Sequence, residues 1–144
     1  MLFTPLPCEE IVLRALLKRG WIDEESGRIK ADAFILDPAK DKDGLSVNVR
    51  SRIDLEAWLA GFRRSFGADS LHTGRIRTLR LDVGQFEQDL RNQPDHAVIT
   101  GLPYSEDDPE RAESLASELA KMSRPVDRTM RRTRQAGPRP APGH

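Results

Sequence analysis

Apolar residues recur in this chain at two incompatible spacings. Leu45, Val47 and Val49 alternate with Ser46, Asn48 and Arg50, the period of two that a half-buried strand requires, since successive side chains leave a strand on opposite faces. A few residues further on, Leu55, Trp58, Leu59, Phe62 and Phe66 fall three and four apart, which is the spacing of one stripe on a helix. Neither pattern fits the other's backbone, so the chain must mix helix with sheet. The spacing predicts a helix over Asp54–Phe66, with Asp54 as its cap, Arg63 and Arg64 at the negative end of its dipole and Gly67 closing it.

The remaining segments follow by the same reasoning. Pro7 to Arg19, ending before Gly20, predicts a first helix, with Ile11, Val12, Ala15 and Leu16 on one face and Leu13 and Leu17 widening it. Ala33-Phe34-Ile35-Leu36 is a short apolar run that predicts a strand. The Asp37–Gly44 stretch, with Pro38 and an Asp-Gly pair, is the loop of a hairpin leading to Leu45–Val49. Ile76 to Val83 reads as a strand with a slip at Thr78–Leu79, Gln85 to Arg91 as a short helix, and His96 to Leu102 as an interior strand with no charge at its centre. Asp108-Pro109-Glu110 opens a last helix, an acid cap with proline in the first turn.

At 144 residues the chain has room for one hydrophobic core. The expectation is an α+β fold: one domain over residues 1–122, with a small, mostly antiparallel sheet of about four strands packed against three helices. After Met122 the apolar period stops, and residues 123–144 read as a disordered tail rich in arginine and proline. The formal charge is zero, with 23 basic and 23 acidic residues, but six arginines face one acid from Ser123 onward. The tail therefore carries +5 and the body −5, and such a tail attracts nucleic acid, an acidic protein surface or the body itself.

The single cysteine, Cys8, has no intramolecular partner, and the sequence opens without a secretory pattern, so a reducing cytoplasm is expected. No apolar run reaches bilayer-spanning length, and no membrane association is expected.

No complete catalytic signature is present. His96 is the polar residue of most interest, because it follows Asp95 directly and opens a buried strand, where an imidazole can be oriented. A histidine that merely bonds its neighbours at a strand edge is the commoner outcome. Should the strands of Ser46 and His96 be neighbours, Ser46, Asn48 and His96 would converge on one polar pocket, and a serine–histidine separation beyond hydrogen-bond reach would remove that idea. Three histidines without short fixed ligand spacings predict no metal site, and the isolated glycines predict no nucleotide cofactor.

Two groups of arginines are candidate anion or RNA contacts. Arg75, Arg77 and Arg80 would project outward from the predicted strand, and Arg128, Arg131, Arg132 and Arg134 lie in the tail. Contacts of this kind are salt-sensitive and name no partner.

Trp21, Ala33-Phe34, Asp43-Gly44-Leu45-Ser46-Val47 and His96-Ala97-Val98-Ile99-Thr100-Gly101 carry a resemblance over residues 10–122. The chain resembles a group of short bacterial cytoplasmic proteins with no assigned function. The resemblance implies a small bacterial protein and supplies no site residues. The leading expectation is a protein-binding or accessory module that acts with a partner protein. The alternatives are a small enzyme or nucleotide-binding domain using His96 with Ser46 and Asn48, and nucleic-acid binding through the tail.

Overall fold

The computed structural model describes residues 2–132. Its strands are β1 (Phe3–Pro5), β2 (Ile11–Ala15), β3 (Leu45–Val49), β4 (Arg64–Ser65), β5 (Ala68–His72), β6 (Asp82–Phe86), β7 (His96–Thr100), β8 (Arg124–Asp127) and β9 (Arg131–Arg132). The helices are α1 (Leu55–Ala60), α2 (Thr73–Arg77), α3 (Glu87–Asn92) and α4 (Pro109–Met122). One antiparallel sheet runs in the order β1-β6-β7-β3-β2-β5-β8, while β4 and β9 form a separate ribbon. Mixed architecture and antiparallel pairing are as expected, but the sheet has seven strands rather than about four and the described residues hold four helices rather than three. None of these helices is long and apolar enough to cross a membrane.

The additional strands come from segments read as something else. Residues 11–15, expected in the first helix, form β2 at the heart of the sheet. Residues 12–16 are buried without interruption, and a strand covered on both faces shows a continuous apolar run that periodicity cannot tell from a helix. Helix α2 takes in Ile76 and Arg77, the start of the expected Ile76–Val83 strand, and the observed strand begins only at Asp82. Ala31–Phe34 make a tight helical turn instead of a strand. The helix expected to reach Phe66 stops at Ala60, leaving Phe62 and Phe66 on the chain that leads to β4 and β5.

Main-core residues Val12, Leu45, Val47, Val49, Leu71, Val83, Ala97 and Ile99 sit with Ala33, Phe34, Ala116 and Leu119. This is the sheet face packed by α4 and the Ala31–Phe34 turn. Strand alternation sends Ser46 and Asn48 to the other face. In the β3–β7 register Asn48 lies opposite His96 and Ser46 opposite Val98, so these residues share that second face. Gly44 allows this pairing: it has φ of 142°, and a Cβ there would lie 2.6 Å from the Ile99 carbonyl oxygen.

The segment expected to be a tail from residue 123 is part of the fold as far as Arg132. Strand β8 pairs with β5, and β9 pairs with β4. Gly67, at φ of 104°, lets the two runs touch, because a Cβ there would fall 1.8 Å from the Asp127 carbonyl oxygen. Arg128 forms an ion pair with the buried carboxylate of Asp69 and donates to the carbonyls of Gly27 at 2.9 Å and Ala68 at 3.1 Å. Asp69 also accepts from the Ser123 hydroxyl at 2.9 Å. The basic segment as far as Arg132 thus pairs with the body of the fold. Arg134 and the rest of 133–144 lie outside the described residues.

Candidate functional site

His96 opens β7 at the end of a tightly braced turn. The side chain of Gln85, 1% exposed, donates to the carbonyls of Pro94 at 2.7 Å and His96 at 2.8 Å, and accepts from Arg52 at 2.7 Å. Arg52 also donates to the Pro94 carbonyl at 2.9 Å. On the β3 side the Val49 N–H donates to the Asp95 carbonyl at 2.7 Å, and the Asn48 amide to Asp95 Oδ2 at 2.8 Å. An imidazole attached to so constrained a backbone has little freedom to wander.

Its two ring nitrogens face different partners. His96 Nε2 lies 3.2 Å from Ser46 Oγ, within hydrogen-bond reach. Nδ1 lies 3.1 Å from Asp89 Oδ2, off the line of a formed hydrogen bond, so that contact is an electrostatic one. Asp89 is in the first turn of α3, the short helix between the neighbouring strands β6 and β7. Serine, histidine and aspartate therefore lie in sequence around one half-buried imidazole. With a proton on Nδ1, Nε2 is free to accept from the serine hydroxyl.

The Ser46 backbone is fixed from the other face. Arg14, on β2, donates to the Ser46 carbonyl at 3.0 Å and to that of Ala33 at 2.9 Å, and its guanidinium lies 5.0 Å from the centre of the Trp21 ring. Burial lowers its pKa to about 10, with Asp41 acting in the opposite direction. At neutral pH it is still a cation.

Beside His96 an open pocket of about 380 Å³ is lined by Asn48, Ala57, Trp58, Gly61, Phe62, Gln93, Asp95 and His96. Helix α1, capped by Asp54 accepting from the Ala57 N–H at 3.2 Å, brings the apolar wall. Ser46 is not among the residues that line this pocket. The sequence pointed to Ser46, Asn48 and His96, and these three are brought together. It did not point to Asp89, whose helix carries no local mark of it, nor to Trp58 and Phe62, which read as ordinary core positions.

The arginine candidates scatter. Arg75 and Arg80 are exposed around α2 rather than aligned along a strand. Arg77 is consumed internally: it bonds Asp82 at 2.8 Å, the Leu6 carbonyl at 2.6 Å and Cys8 Sγ at 3.1 Å, and the Asp82 contact raises its pKa. Arg128 is paired with Asp69 and Arg131 with Asp127. The backbone of Arg132 pairs with Arg64 in the β4–β9 ribbon. Among the described side chains, those of Arg77, Arg128 and Arg131 are thus engaged within the fold. Among the described residues no group of three or more His, Cys, Asp or Glu side chains is placed to hold a metal ion.

Comparison with protein-family models, with curated proteins and with solved structures finds no match to this chain.

Proposed function

We propose that this chain is a small hydrolase of the serine type, in which Ser46 is the nucleophile, His96 the general base and Asp89 the group that orients and stabilises the imidazole. The observation that carries the reading is the placement of Ser46 Oγ 3.2 Å from His96 Nε2 with Asp89 Oδ2 3.1 Å from Nδ1. Nε2 takes the hydroxyl proton as Oγ bonds to the acyl carbon. The imidazolium so formed, facing the Asp89 carboxylate, returns that proton to the leaving group as the acyl–leaving-group bond breaks. Water then repeats the sequence on the acyl-serine and frees the acid.

A fluorophosphonate probe tests this directly, because it bonds only to an activated serine. Intact mass should rise by one adduct, peptide mapping should place it on Ser46, and Ser46→Ala and His96→Ala should each abolish it. Absence of an adduct on the wild-type protein, or equal labelling of His96→Ala, would overturn the reading.

One observation favours a second reading, an accessory module acting with a partner protein: β1 is an edge strand beside the 72%-exposed Leu2, an edge to which another chain can add a strand. Purification from the native host at physiological salt would then yield a stoichiometric partner that Leu2→Asp releases, and a chain that emerges alone would count against it. Exposed, unbridged Cys8 supports placing the protein in a reducing bacterial cytoplasm.

A further inference from the structure

The pocket beside His96 combines aromatic rings with hydrogen-bond acceptors and contains no lysine or arginine in its lining. Trp58 and Phe62, one turn apart, meet edge to face with ring centres 5.3 Å apart. The polar side comes from Asn48, Gln93 and Asp95. Asp95 Oδ2 is occupied by the Asn48 amide at 2.8 Å, while its Oδ1 accepts nothing from the described residues. Nor does Asp95 form an ion pair among the described residues. Asp95 thus brings to the pocket a carboxylate oxygen that no described residue fills, in the same lining as the rings of Trp58 and Phe62.

We infer that the group this pocket receives is a guanidinium, so that it takes an arginine side chain and the serine–histidine pair acts on esters or amides of arginine. As a statement about substrate, this rests on the hydrolase reading above. The chemistry selects a guanidinium over other groups. Its flat face stacks on indole and phenyl rings, and its five N–H groups match several acceptors at once. Here those acceptors are Asp95 Oδ1, Asn48 Oδ1 and the Gln93 side-chain carbonyl. Anionic ligands such as phosphates would meet the Asp95 carboxylate in the lining. The volume of about 380 Å³ lies at the small end of the range for ligand sites and suits one side chain rather than a large cofactor.

The test uses the full chain carrying Ser46→Ala, so that binding is read without turnover. N-acetyl-arginine methylamide and its neutral isostere N-acetyl-citrulline methylamide are titrated in turn, by calorimetry and by the indole N–H resonance of Trp58. The arginine compound should saturate, shift that resonance and bind roughly tenfold or more tightly than the citrulline compound. Asp95→Asn, which keeps the side-chain shape and an acceptor for Asn48, should lose a similar factor. Equal affinity for the two compounds, or undiminished binding in Asp95→Asn, would overturn the inference. The two ideas fail separately. Arginine binding without fluorophosphonate labelling of wild-type Ser46 keeps the guanidinium site and removes the hydrolase, while labelling without arginine preference does the reverse.

Discussion

Replacing Arg128 by Met should destabilise the fold by about 3 kcal/mol, the lower end of the cost of stranding one member of a buried ion pair. The magnitude follows from an asymmetry in exposure. The Asp69 side chain is 1% exposed and Arg128 24%, so the charge left behind is almost fully buried, while the pair itself is partly screened by solvent. Among the described residues only the Ser123 hydroxyl, at 2.9 Å, would still serve the Asp69 carboxylate. The carbonyls of Gly27 and Ala68 would lose a donor as well. In urea, with a slope of about 2 kcal/mol per molar for a chain of this size, the midpoint should fall by roughly 1.5 M at unchanged slope. Adding Asp69→Asn should restore part of the loss, since removing both charges leaves neither stranded. A loss below about 1 kcal/mol, or a double variant no better than the sum of the singles, would refute the claim that this pair holds residues 123–132 in the fold.

Asp127 supplies a pH-dependent contribution. Burial raises its pKa, but the backbone N–H of Thr129 at 2.6 Å, the Thr129 hydroxyl and Arg131 outweigh that and leave it depressed. Its stabilisation is therefore complete above the unfolded value of about 3.9 and lost as pH falls through the lower folded value. Urea midpoints measured from pH 5 to 2.5 should show a shallower acid limb in Asp127→Asn, and superimposable curves would contradict this. Gly44→Ala must place a methyl 2.6 Å from the Ile99 oxygen at φ of 142°; the melting temperature should drop by roughly 10 °C, with fluorophosphonate labelling of Ser46 falling alongside it. Asp108→Ala removes the cap that accepts from the Arg111 N–H at 3.1 Å and should cost about 1 kcal/mol in the same denaturation assay.

Where local chemistry decides the structure, it was legible. Helix α4 begins at the Asp108-Pro109 signal, and β3 and β7 lie where alternation and an uncharged apolar run place them. Where burial on both faces erases alternation, as in β2, the sequence reads equally well as helix. The Ile76–Val83 stretch misleads for a different reason: Leu79, Leu81 and Val83 alternate, yet Ile76 belongs to a helix facing the core and Val83 to the strand that follows. Residues 124–132 have the composition of a tail, and what orders them is a distant carboxylate and the open side of β5, neither of which leaves a local trace. The site divides in the same way. Ser46, Asn48 and His96 were readable because two alternating strands carry them, whereas Asp89 reaches the imidazole only through the β6–α3–β7 connection.

The late pairing of β8 has a consequence for how the chain leaves the ribosome. Strand β5 has β2 on one side and β8 on the other, so until residue 127 emerges one flank of β5 presents unpaired backbone N–H and C=O groups. An uncovered flank of that kind is a template on which another nascent chain can add a strand. Synthesis halted near Ser123 would leave the sheet open at that side, and such products should aggregate rather than accumulate as a soluble shortened domain.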